Sequence, residues 1–193
     1  MVVVHCGWTN EDAVAATREF LSQKPPRRAA IRDLMKELLN GTRFERRCAA
    51  DLARRVSARE PAALRAYPDV FIDLVADLPQ GEWQARGYLT LAAAHSASTR
   101  TQRMTLAALV RAQAVDERNA LRAIALEAFG ILALAEPELR DEAMELLERS
   151  RREGTCAMRS RASRMLPQLL TAELEQGRRR STVRRNRSAR REK

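Results

Sequence analysis

The sequence predicts an all-α protein built as a stack of about four helix pairs, and three observations carry that expectation. Alanine and leucine dominate a chain of 193 residues in which 45% are hydrophobic and only 4% aromatic. That composition suits helices packed through small and aliphatic side chains, and the absence of alternating apolar and polar runs argues against an appreciable sheet. A six-residue phrase also recurs: GTRFER at Gly41–Arg46, GEWQAR at Gly81–Arg86 and GTCAMR at Gly154–Arg159, with a worn copy, ERNALR, at Glu117–Arg122. Its arginines stand 40, 36 and 37 residues apart, a period typical of helical repeats. Finally, the positions three, seven and ten after each arginine share one helix face. They hold Ala49, Ala53 and Val56; Leu89, Ala93 and Ser96; Ala125, Phe129 and Leu132; and Ala162, Leu166 and Leu169, all apolar except Ser96.

The elements follow in chain order. Residues 1–25 read as a short leader and an N-terminal capping helix. Asn10 caps it, Glu11 and Asp12 supply an acidic first turn, and Lys24-Pro25-Pro26 ends it after Ser22. Its apolar face, Ala13, Val14, Ala16, Phe20 and Leu21, has no partner of the repeating type, as expected for the end of a stack. Residues 26–174 hold the pairs, each with a first (A) and second (B) helix. The first pair runs from Arg27 to Asn40 and from Arg43 to Ser57, with Gly41 expected as a left-handed terminator. The second A segment starts at Pro61 and is broken by Pro68; its B helix runs from Trp83 to about His95. The third pair spans about Thr101–Gln113 and Arg118–Leu134. The fourth starts at Pro137, turns at Gly154 and ends near Leu170, with Pro167 expected to kink its last turn. Residues 175–193 read as a disordered Arg-rich tail, because they lack apolar periodicity.

Between Arg27 and Leu170 this pattern resembles the HEAT repeats. The resemblance rests on the period, the paired amphipathic helices, the proline in the second A segment and an Arg-x-x-Ala start to the B helix. The four copies are Arg46–Ala49, Arg86–Leu89, Arg122–Ala125 and Arg159–Ala162, with Leu89 as the departure. The resemblance implies a right-handed α-α superhelix of the armadillo type, with B helices on the concave side. Such families place an acid in the turn within a repeat to pair with the register arginine, and here only Asp116 in the third repeat offers one. It implies a binding surface and names no ligand.

Charge narrows the candidates. The net charge is +10, yet residues 176–193 alone carry nine basic residues and one acid, which leaves the body at +2. The tail arginines Arg178, Arg179, Arg180, Arg184, Arg185, Arg187, Arg190 and Arg191 are candidate phosphate contacts, with no aromatic residue among them to stack on bases. Within the repeats, Arg46, Arg47, Arg86, Arg122, Arg159 and Arg161 are candidates for the concave face, although each could equally bridge turns or pair with a nearby carboxylate. Arg43–Ser57 holds five arginines and two acids, and Thr155–Leu170 three arginines and none, so the basic charge sits at the two ends of the stack.

Chemistry is sparse. Cys6, Cys48 and Cys156 are scattered and show no disulfide or zinc spacing, and no Gly-rich phosphate loop or nucleophile motif is present. DNA glycosylases among HEAT-like proteins combine a basic groove with aromatics and a carboxylate; Trp83 and Tyr88 with Asp51 or Glu127 are the nearest imitation. The expectation is a noncatalytic scaffold without cofactor, metal or small-molecule substrate. It would bind a protein partner on the B-helix face, with nucleic acid on the tail and basic B helices as the alternative. No stretch approaches the ~18 apolar residues of a membrane span, and a reducing, cytoplasmic setting is expected.

Overall fold

The structure, a computed structural model, describes residues 8–24 and 27–191, with side chains as far as Gln176. Cys6, and Pro25 and Pro26 at the expected end of the first helix, lie outside the described residues. All regular structure among the described residues is helical.

Helix α1 spans Asn10–Ser22 and buries Ala13, Ala16, Thr17 and Phe20. Its cap lies one residue earlier than expected. The Thr9 hydroxyl accepts from the Asp12 amide at 3.2 Å while the Asp12 carboxylate accepts from the Thr9 amide at 2.8 Å, a reciprocal capping box. The first pair follows as α2 (Arg28–Asn40) and α3 (Arg43–Arg59), the latter opened by an equivalent box between Thr42 and Glu45. Gly41 is not left-handed: its φ of −71° is extended. Glycine is needed there for space, because a Cβ would run into the carbonyl oxygen of Glu37; Gly154 repeats the arrangement against Ser150. Among the described non-glycine residues, positive φ falls at Arg27, at 48°, just before α2.

The second A segment is divided as its prolines require. A 3₁₀ turn over Pro61–Leu64 precedes α4 (Pro68–Asp77), and α5 covers Trp83–Ser96. The third pair is α6 (Arg100–Ala114) and α7 (Asn119–Ala135). The fourth is α8 (Arg140–Glu153), after a 3₁₀ turn over Pro137–Leu139, and α9 (Cys156–Arg191). Here the structure departs from expectation. Instead of ending near Leu170, α9 runs on past Pro167 to Arg191, over the segment read as a disordered tail. Extending an existing helix avoids the nucleation cost that an isolated segment faces, and arginine is a good helix former.

Each A helix packs on its own B helix, and the B helices α3, α5, α7 and α9 contact one another in series. Among the A helices only α4 and α6 share more than marginal contact, and α1 covers the free side of α3. The apolar register explains the seam. All twelve positions three, seven and ten after the register arginines are buried, Ser96 included, whose hydroxyl donates to the Ala92 carbonyl at 2.7 Å. Small residues set the spacing. A Cβ on Gly87 would meet Ile124 Cδ1 at 2.9 Å, and one on Gly130 would meet Met165 Cε at 2.8 Å.

Candidate binding surface

Most helix ends in this chain are closed by an arginine from the next element. The last carbonyls of a helix have no internal partner and carry partial negative charge, which a guanidinium satisfies on both counts. Arg27 donates to the Leu21 and Gln23 carbonyls at 3.0 and 2.9 Å, at the end of α1. Arg46 donates to those of Leu38 and Gly41, both at 3.0 Å, and Arg86 to Val75 at 3.3 Å. Arg103 reaches Ala97 at 3.2 Å, Arg140 reaches Ala133 at 3.1 Å, and Arg159 reaches Gly154 at 2.9 Å. Three of the six concave-face candidates, Arg46, Arg86 and Arg159, thus direct donors at the ends of A helices.

Carboxylates then tie these arginines along the stack. Glu82 accepts twice from Arg46 Nη1, at 2.9 and 2.8 Å, Glu60 accepts from Arg27 at 2.7 Å, and Glu136 accepts from Arg103 at 2.6 Å. The acid comes from 33 to 36 residues later, one repeat on, not from the turn within the same repeat. Asp116, expected to serve Arg122, pairs instead with Arg118 at 3.3 Å. Arg27, Arg103 and Arg140 were not singled out in the sequence. A signal was available, since Arg103 and Arg140 are 37 residues apart and Glu60-Pro61 and Glu136-Pro137 open two A segments alike.

Of the remaining candidates, Arg122 turns back on the start of its own helix α7, donating from Nη1 to Asn119 Oδ1 at 3.2 Å, while Arg47 and Arg161 belong to two charged clusters on the B helices. Arg47 stacks over the Phe44 ring, 4.9 Å from its centroid, and reaches Gln84 at 3.4 Å. Beside it the buried Asp51 carboxylate accepts from Arg54 Nε and Arg55 Nε, each at 3.0 Å, and from Trp8 Nε1 at 3.5 Å. Arg54 also stacks on Tyr88, 5.0 Å from the ring centroid. Trp8, Asp51 and Tyr88 therefore meet around a pocket of about 280 Å³ whose basic lining is Arg47 and Arg55. Trp83 does not line this pocket. On the far side of the face, Glu127 accepts from Arg161 Nη1 at 2.6 Å and from Arg164. Between the two clusters, burial lowers the pKa of the His95 imidazole; Glu127 opposes the shift and Arg54 adds to it.

The tail candidates Arg178, Arg179, Arg180, Arg184, Arg185, Arg187, Arg190 and Arg191 fall on the backbone of α9; their side chains lie outside the described ones. Burial pushes the Cys48 thiol up to about 11, which removes it as a thiolate near neutral pH. Among the described residues no group of three or more His, Cys, Asp or Glu side chains is placed to hold a metal, and no helix is long and apolar enough to cross a membrane. Comparison with protein-family models, with curated proteins and with solved structures found no match for this chain.

Proposed function

We propose that the protein is a noncatalytic HEAT-like binding module, a right-handed superhelix that holds an acidic protein partner against its B-helix face. One observation carries the reading. Two carboxylates of the B helices are each shared by two arginines, Asp51 by Arg54 and Arg55 and Glu127 by Arg161 and Arg164, leaving a surplus positive charge at each cluster. The superhelical part is supported by the closer approach of successive B helices than of A helices, which curves a stack toward its B side.

The test removes the surplus arginine and leaves each acid paired: the double variant Arg54→Ala, Arg164→Ala, beside a chain lacking residues 178–193. Affinity capture followed by mass spectrometry should recover the same acidic partners on the shortened chain and lose them on the double variant. Partners kept by the double variant, or lost with the tail alone, would overturn the reading.

A second reading, nucleic-acid binding, is supported by the eight tail arginines lying on one continuous helix. If phosphates are the ligand, removing residues 178–193 flattens the salt dependence of duplex DNA affinity by several units, at about −0.9 per phosphate neutralised. An unchanged slope eliminates it.

A further inference from the structure

Where α4 and α6 pack on each other, α2 and α4 share only marginal contact, because the 3₁₀ turn over Pro61–Leu64 sits on α3 and α5 before α4 begins. A groove of about 680 Å³ opens there, between the start of α2 and that turn, with no lining residue from a B helix. Ile31, Ala62, Ala63 and Tyr67 give it an apolar wall. Its charge comes from four arginines and one glutamate. Arg27 and Glu60 are engaged with each other at 2.7 Å, and Arg27 also closes the end of α1. Arg28, Arg32 and Arg65 are exposed and make no hydrogen bond or ion pair among the described residues.

These three positive charges oppose one another in the free protein. Arg28 and Arg32 stand four residues apart on α2, where like charges repel, and Arg28 is the first residue of the helix, where the dipole disfavours a cation. Helices α1, α3 and α6 each open with a threonine capping box, whereas α2 has no side-chain cap and no acid in its first turn. Arg65 adds a third charge from the other side of the groove. An anion bridging the two sides relieves all three. A carboxylate has two oxygens and one charge, enough for a single guanidinium fork; a phosphate monoester brings three terminal oxygens and nearly two charges. The basic lining does not continue as a track. Helix α4 starts directly after Tyr67 and exposes Asp69, Asp73 and Asp77 at four-residue spacing, which repels a polyanion laid along the A helices.

We propose that this groove binds a phosphorylated serine or threonine of a partner protein, its phosphate held between Arg28, Arg32 and Arg65 and an aliphatic neighbour on Ile31, Ala63 and Tyr67. The apolar wall extends beyond what a phosphate covers, so it suits a phosphorylated side chain with its flanking residues better than a free ion. Arginine clusters recognise phosphorylated segments by such multiple charged hydrogen bonds.

The probe is a blocked Ala-Leu-phosphoserine-Leu-Ala peptide, titrated into the full-length protein while the Ala62 and Ala63 methyl groups are followed by NMR. These methyls report on the groove itself rather than on residues 178–193. Both should shift saturably, the unphosphorylated peptide should leave them in place, and the peptide with Glu for phosphoserine should bind about tenfold more weakly or worse. Affinity should fall as pH drops from about 7 to 5.5, because the phosphate takes up its second proton near pH ~6. Besides arginine, only Glu60 and Tyr67 titrate in the described lining, and Glu60 is tied to Arg27. Arg32→Gln and Arg65→Gln, both at exposed positions, should each weaken binding about tenfold while leaving the free protein at least as stable to heat. Equal binding of the Glu peptide, binding indifferent to pH, or undiminished binding to the two variants would overturn the proposal. So would inorganic phosphate or a short DNA duplex shifting the same methyls at lower concentration than the phosphopeptide, which would assign the groove to a free ion or to nucleic acid. The Arg54→Ala, Arg164→Ala variant should bind the peptide as the wild type does, so failure here and failure of the B-face reading are separable.

Discussion

Arg46 touches three parts of the molecule at once: the end of α2 through two carbonyls, its own helix α3, and the next repeat through Glu82. Its side chain is 18% exposed and that of Glu82 is 12%, so the pair is shielded enough for charge-assisted hydrogen bonds to count. The exposed pairs Arg149–Glu145 and Arg151–Glu148 have the same chemistry and far less effect on stability, because water competes for both partners. His95 shows the opposite case, a group whose surroundings disfavour its charged form. Burial lowers its pKa in the folded chain, whereas the unfolded chain keeps the ordinary value of about 6.5. Below that value the unfolded state takes up the proton more readily, so this contribution to stability is full above pH ~6.5 and is lost as pH falls toward the folded pKa. Glu37, raised chiefly by burial, works in the other direction, since its neutral form favours the folded state. Comparing thermal unfolding of the wild type and His95→Gln from about pH 5 to 8 isolates the histidine. The wild type should lose stability relative to the variant on acidification; parallel curves would show that His95 titrates alike in both states.

At the scale of the element, the helices were legible in the sequence wherever backbone chemistry acts locally. Pro61 and Pro68 foretold a divided second A segment, and the structure has a 3₁₀ turn and then α4. The apolar register foretold the buried seam to the last of its twelve positions. The misses share a cause, which is that neighbours in space decide them. Gly41 suggested a left-handed turn because glycine usually supplies one, but it is retained where a carbonyl oxygen leaves no room for a Cβ. Asp116 suggested itself as the partner of Arg122 because it stands in the turn within the repeat, while the acid that serves Arg46 arrives one repeat later. The extension of α9 was hidden for a related reason. Residues 175–193 carry no apolar stripe, so periodicity is silent on whether a helix already formed upstream carries on through them. The B-face pocket was half visible: Asp51 and Tyr88 stood out as residue types, but Trp8 joins them only because α1 packs on α3.

At the scale of the whole molecule, the serial contact of α3, α5, α7 and α9 decides how a local defect spreads. In a stack of this kind each pair is stabilised mainly by its neighbours, and stability approximates a sum of repeat and interface contributions. Gly130 gives a clean place to disturb one interface. A Cβ there would lie 2.8 Å from Met165 Cε, 3.1 Å from its Cγ and 3.3 Å from its Cβ, so the obstruction extends from the flexible tip to the root of that side chain. Gly130→Val adds bulk that α7 and α9 can accommodate only by moving apart, at a cost of about 1–3 kcal/mol. The better helix propensity of valine offsets only a few tenths of that. Amide hydrogen exchange reads out where the loss is felt. If the interfaces act independently, amides in α8 and the first part of α9 should exchange markedly faster in the variant, α7 less so, and α2 and α3 nearly as in the wild type. A uniform loss of protection from α2 to α9 would show instead that the four pairs unfold as one cooperative unit, and that the serial contacts do not partition its stability.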